Sequence, residues 1–213
     1  LTNGGSINLL AAQATNDTAI TVSMDSGSAG NKSGVATIDF VSDGAGTSDL
    51  GQTLLASQNV QVTGAVYRLA DPLLDTTSVT LAARVGDALP SASVSVTNSS
   101  PDAFTEGLDT AFGAAPAGFT ATGSVTNLAA GATDGSSLSV GLTSTASSQN
   151  LSSSVAVEFE STGAGTTGEA DVSVGSALVS LAGKVYQQAV ALVQQVVDFG
   201  IVHVGEVLAA LGV

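Results

Sequence analysis

The feature that most limits the folds open to this chain is an internal repeat. Phe40 and Phe159 stand 119 residues apart, and the same offset aligns Gly44-Ala45-Gly46-Thr47 with Gly163-Ala164-Gly165-Thr166 and Tyr67 with Tyr186. Farther upstream the offset is 118, so that "LAAQATNDTAITV" from Leu10 faces "LAAGATDGSSLSV" from Leu128, a slip of the kind one loop deletion produces. Downstream, "LAARVGDAL" (81–89) faces "GIVHVGEVL" (200–208), which sets Gly86 against Gly205, Arg84 against His203 and Asp87 against Glu206. Self-similarity at a fixed period marks a chain assembled from copies of one module.

On this frame the 213 residues divide into three parts. Residues 1–72 form a partial unit that lacks its opening strands, 77–187 a complete unit, and 196–213 the opening strand or strands of a further one. Leu1 falls opposite Phe119, and Val213 opposite Val94. The complete unit predicts short strands near 78–85, 91–97, 104–111, 119–126, 136–143, 153–160 and 171–186. Between them lie turn-rich stretches such as "TNSSPD", "GAAPAG" and "STGAGTTG", whose Gly, Pro, Asn and Asp favour chain reversal. "SASVSVTN" alternates apolar and polar residues, the pattern of a half-buried strand. That density of short strands is typical of an immunoglobulin-like sandwich. The expected fold class is all-β, with tandem immunoglobulin-like β-sandwiches and no helix longer than two or three turns. "RLADPLLDTT" reads as the connection between units, stiffened by Pro72, which fixes φ and removes a donor. Tyr67 and Tyr186 are expected in equivalent places beside such connections.

Composition then removes whole classes of function. Eighteen acidic residues face four basic ones (Lys32, Arg68, Arg84 and Lys184), for a net charge of −14. Nucleic acid is not an expected partner, because neutralising phosphates takes clustered Lys and Arg. There is no cysteine, hence no disulfide and no thiolate metal site. A transition-metal site would also lack ligands, since His203 is the sole imidazole. Aromatic residues make up 4% and Trp is absent, which leaves little for a sugar-stacking platform. Even so, 44% hydrophobic residues suffice for packed cores. The opening "LTNGGSINLL" has neither a basic n-region nor a long apolar core, so no signal peptide is expected there and the chain reads as a processed product or an excerpt.

The final stretch, "VVDFGIVHVGEVLAALGV", is apolar enough to raise a membrane span or a helix. Asp198, His203 and Glu206, with Gln194 and Gln195 just before, are too many polar groups for a bilayer core. Gly200 and Gly205 each weaken a helix by about 1 kcal/mol relative to Ala. A strand is therefore expected over 196–213, with a C-terminal helix as the alternative.

These residues carry a family resemblance. "VVDFGIVHVGEVL" resembles the Phe-Gly-x-Val-x-Val-Gly opening strand of Hydin-like (ASH-type) immunoglobulin-like domains. "LAAGATDGSSLSVGL", "VAVEFESTGAGT" and "LAGKVYQ" together resemble the tandem choice-of-anchor D type repeats of very large bacterial surface proteins. The middle copy departs from that pattern, because "VTLAARVG" lacks the Phe-Gly pair. The resemblance implies an extracellular or cell-surface location and a structural role in a fibre, stalk or coat.

An incomplete sandwich leaves an apolar groove and an unpaired edge. The closing segment is homologous to the missing opening strands, so copies of the chain are the expected partners, joined head to tail by strand addition. The residues expected to carry that contact are Val197, Phe199, Ile201, Val202, Val204, Val207 and Leu208. The alternative is an adhesin-type module that binds a surface glycan or receptor through its loop tips.

Catalysis is not expected. His203 aligns with Arg84 and reads as a surface residue, and no Ser stands in G-x-S-x-G. "SDGAGTSD" places Asp43 and Asp49 near each other but fits no calcium loop, and "STGAGTTG" in the second copy lacks both carboxylates. It reads as a turn in which Gly44 and Gly46 supply positive φ. No cofactor is expected, while calcium, which needs only oxygen ligands, stays open. Asn16, Asn31, Asn98 and Asn150 begin Asn-x-Ser/Thr triplets, a number that chance supplies in so Ser/Thr-rich a chain.

Overall fold

The computed structural model describes residues 2–193 and 196–210, and expectations that rest on Leu1, Gln194, Gln195 or 211–213 lie outside them. The first half contains β1 (Thr2–Gly4), β2 (Thr21–Ser23), β3 (Gly30–Ile38), β4 (Val41–Ser42), β5 (Thr53–Leu54) and β6 (Gln58–Val66). The second contains β7 (Pro72–Leu74), β8 (Ser78–Arg84), β9 (Ser91–Asn98), β10 (Gly107–Phe112), β11 (Phe119–Thr122), β12 (Ser124–Leu128), β13 (Thr133–Leu142), β14 (Gln149–Thr162) and β15 (Val172–Tyr186). The described residues include no helix.

Residues from Pro72 to Tyr186 make a sandwich of two sheets, in the orders β12-β10-β14-β15-β8 and β11-β13-β9-β7. All pairs are antiparallel except β8 on β15, which is parallel. This is the immunoglobulin-type division into four strands facing three, with β8 and β12 added to the second set. Period-two burial drives it. Along β9, Val94, Val96 and Asn98 are buried, while Ser91 and Ser93 face water. Along β8, Val79 and Leu81 are buried, with Thr80 and Ala82 outside. The inward residues of both sheets meet in one core, in which Leu108, Leu138, Val155, Val157 and Val179 have almost no exposure. Gly183 lets the sheets approach closely, since a Cβ there would lie 2.6 Å from Leu142 Cδ2 and 3.3 Å from the Phe119 ring.

Two details differ from the sequence expectation. The strand expected at 119–126 divides at Gly123 into β11 and β12, which belong to different sheets. Gly123 has φ +99°, and a Cβ there would collide with the Ser137 carbonyl, so the chain crosses between layers where only glycine fits. The segment expected as a plain connection instead contains β7, whose Leu73 and Leu74 pair with Thr97 and Val96. Pro72 opens this edge strand, a place where its missing N–H costs no ladder bond.

The first half repeats two pairings of the second, β11 with β13 and β14 with β15. Ala36 pairs with Val60 as Val155 pairs with Val179, and Val41 with Leu54 as Glu160 with Ser173. Asn3 pairs with Val22 as Ala121 pairs with Val140, at the 118 offset. The breaks correspond as well: a Cβ at Gly5 would strike the Ala19 carbonyl, the counterpart of Gly123 against Ser137. Met24 lies against Gly64 where Leu142 lies against Gly183.

Candidate functional site

What the first half lacks follows from this correspondence. Among the described residues it has counterparts of β11, β13, β14 and β15 and no strand equivalent to β7, β8, β9, β10 or β12. Its sheets are therefore two-stranded, and β6 pairs only with β3, whereas β15 pairs with both β14 and β8. The side chains register the loss of neighbours. Phe159 is 3% exposed and its counterpart Phe40 38%; Val179 is 0% exposed and Val60 45%. Val22 and Met24 are exposed where Val140 and Leu142 are buried. The first half thus keeps two strands of each layer and lacks the flanking strands that would cover their inward side chains.

The strand expected over 196–213 is absent from the described residues 196–210, and the alternative helix is absent too. A strand exists through its neighbour's hydrogen bonds, and among the described residues no strand pairs with this segment. Phe199, Ile201, Val202, Val204, Val207 and Leu208 are exposed and Val197 is half-buried. Ile201 and Val204 have essentially no cover.

One part of the segment is already shaped. The Glu206 N–H donates to the His203 carbonyl (3.2 Å), and the His203 N–H donates to Glu206 Oε2 (3.1 Å). After β8 the Asp87 N–H donates to the Arg84 carbonyl (3.1 Å), and the Arg84 N–H to Asp87 Oδ2 (2.9 Å). Gly86 and Gly205 have φ of +84° and +87°. The same turn thus forms at both places. His203 is a turn residue, exposed, and stands where Arg84 stands.

The joint between the two halves is closely built. The Tyr67 ring packs on Phe104 with centroids 5.7 Å apart, and Arg68 Nη1 meets Asp102 Oδ1 at 2.7 Å. The Arg68 guanidinium first, and the Phe104 amide second, hold the Asp102 carboxyl below its ordinary pKa. Backbone bonds run both ways, from the Arg68 N–H to the Phe104 carbonyl (3.0 Å) and from the Glu106 N–H to the Arg68 carbonyl (2.9 Å). Farther along, the Ala70 N–H donates to Ser161 Oγ (2.9 Å), which donates to Glu106 Oε2 (2.7 Å), while Thr167 donates to Glu106 Oε1 (2.6 Å). Asn98 is fully buried: its Nδ2 donates to the carbonyls of Glu106 (3.2 Å) and Leu128 (3.1 Å), and its Oδ1 accepts from the Asp71 N–H (3.2 Å). No glycan can sit on it. Tyr186, at the place equivalent to Tyr67, is exposed, and among the described residues no ring packs on it.

The sequence reading missed Asn98, Asp102, Phe104 and Glu106. Only Asn98 left a signal, as a polar residue in an inward slot of a period-two strand.

The loop "SDGAGTSD" is a turn. Asp43 accepts from Gln52 (2.7 Å) and from the Ala45 N–H (2.9 Å), and these bonds hold its carboxyl below the usual range. Gly46 has φ +73°, as expected, but Gly44 is glycine for another reason: a Cβ there would collide with the Leu50 carbonyl. On the outer face of the larger sheet, Asp109 and Glu160 are cross-strand neighbours and Glu158 lines the same shallow depression. Among the described residues no three His, Asp or Glu side chains stand close enough to hold a metal ion, and no helix is long and apolar enough to cross a membrane.

No family model and no curated protein matches the chain. Among solved structures it is similar to the ASH/PapD-like domain 7 of human CEP192, at 9% identity and TM-score 0.40, over 57% of this chain and 89% of that one. It is similar to the Vibrio cholerae VesB protease at 16% identity and TM-score 0.31, over 53% and 31%. It is also similar to domains 4 and 5 of the S-layer protein SbsC, at 13% identity and TM-score 0.28, over 81% and 78%. The fold assignment rests on the strand pairings above.

Proposed function

We propose that the chain is a structural segment of an extracellular bacterial surface filament, built from immunoglobulin-like repeats and joined head to tail through strand addition. The observation that supports this most is the correspondence of the two halves. The first repeats two of the second's strand pairings residue for residue, yet its inward side chains are uncovered, and residues 203–206 repeat the turn that closes the strand it lacks. An apolar face and a free strand edge invite a further strand. In this reading the chain performs no catalysis, its partners are copies of itself, and the clamped joint at residues 67–71 passes load from one unit to the next. The net charge of −14 suits a soluble, mutually repelling filament.

Negative-stain electron microscopy of the purified 213-residue chain tests the reading. Thin unbranched filaments whose length grows with concentration are expected. Uniform single particles at all concentrations would refute it.

A further inference from the structure

We propose that residues 200–204 of one copy add to β6 of a second copy as a parallel strand, in the register that β8 holds on β15. The proposal rests on the head-to-tail reading above and specifies its contact. On β15, Gly183, Lys184, Val185 and Tyr186 face Leu81, Ala82, Ala83 and Arg84. The repeat carries these pairs onto Gly64 with Gly200, Ala65 with Ile201, Val66 with Val202, and Tyr67 with His203.

Three observations point to this occupant. The outer edge of β6 is unpaired among the described residues, although the edge of β15 equivalent to it is used. The turn that closes β8 is already folded at 203–206. Finally, the side chains sort correctly. Val202 and Val204 take the places of Ala83 and Val85, both half-buried and the latter packed against the core, and Ile201 and His203 take the outward places of Ala82 and Arg84.

Strict alternation would then carry Asp198 inward, to the place of the buried Val79. Gly200 removes that conflict. Its φ of +70° is the left-handed conformation of a glycine bulge, and its N–H donates to Asp198 Oδ1 (2.8 Å). A bulge inserts one residue and reverses the alternation before it. Val197 and Phe199 then share the inward face with Val202 and Val204, while Asp198 turns to water. The complete unit needs no such device, because Val79 and Leu81 alternate without interruption.

The chain has no cysteine, so paired single-cysteine variants report the contact cleanly. Ala65→Cys chains are mixed with Ile201→Cys chains under mild oxidation, and Thr63→Cys replaces Ala65→Cys as the control. All three positions are exposed. Directly paired Cα atoms on neighbouring strands lie about 5 Å apart, within disulfide reach, whereas a two-residue shift lengthens this to about 8 Å, beyond it. Assembly is followed separately, by sedimentation under reducing conditions. The expected result is assembly, a disulfide-linked dimer with Ala65→Cys and none with Thr63→Cys, and loss of the dimer when Val202→Asp is added to the Ile201→Cys chain. Assembly with no disulfide, or with equal yield from Thr63→Cys, would overturn this contact and leave the head-to-tail reading standing. Neither assembly nor disulfide would overturn both.

Discussion

Replacing Asn98 tests whether the joint is held by hydrogen bonds or by apolar packing alone. The side chain is fully buried and makes three bonds, two as donor to the carbonyls of Glu106 and Leu128 and one as acceptor from the Asp71 N–H. At roughly 1 kcal/mol net for each, Asn98→Ala loses about 3 kcal/mol, and the small cavity adds to the loss. Asn98→Asp preserves shape and the bond from Asp71 but aims oxygens at two carbonyls. Burial and those carbonyls raise the folded-state pKa of this new carboxyl above its unfolded value near 4. Its penalty is therefore smallest below that value and grows as pH rises toward the folded-state pKa. Urea unfolding followed by far-UV circular dichroism, at acid and neutral pH, measures both variants. An Asn98→Ala loss below about 1 kcal/mol would show that the three bonds do not hold this region. An Asn98→Asp penalty that does not change with pH would refute the electrostatic argument.

Other expectations follow from the same geometry. Phe159→Ala costs about 3–5 kcal/mol, and Phe40→Ala much less in monomeric protein, because Phe40 is already half uncovered; equal costs in thermal melts would mean that the first half is closed. Gly183→Leu forces a side chain between Leu142 and Phe119 and costs about 1–3 kcal/mol by denaturant titration, while an unchanged midpoint would show the sheets farther apart than described. The Asp102 carboxyl has its pKa lowered by Arg68, so the pair's contribution is present above the unfolded value and is lost as pH falls through the lower folded one. NMR titration of Asp102 in the Arg68→Met variant is expected to return its pKa toward the ordinary value. Val202→Asp with Val204→Asp abolishes assembly and leaves the melting of the second unit unchanged, since neither residue touches that unit's core.

Much of this architecture is legible in the residues. The 119-residue offset between Phe40 and Phe159 became a strand-for-strand match, because side chains that face inward at one place must face inward at its copy. Alternation placed β8, β9 and β13 to within a few residues. The division of 119–126 at Gly123 was not legible, since a glycine says nothing of which carbonyl lies opposite it. β7 was hidden by its proline and its brevity. Asn98 stands in an inward slot of a period-two strand, yet the sequence reading singled it out only as the start of a chance Asn-x-Ser triplet. The closing segment shows the general limit: Val202 and Val204 have strand-forming residue types, yet a strand forms only where another strand accepts it.

Hydrogen exchange at residues 61–67 tests the central claim most directly. In the second unit the equivalent amides lie between two neighbours, β14 and β8, and in the first they have only β3. The comparison is between the 213-residue chain and one ending at residue 195, at the same concentration. The outward-edge amides of β6 are expected to exchange slowly in the full chain and rapidly in the shortened one, with β15 equally protected in both. Equal exchange of β6 in the two proteins would contradict the account, because residues 197–206 would then have no strand to join.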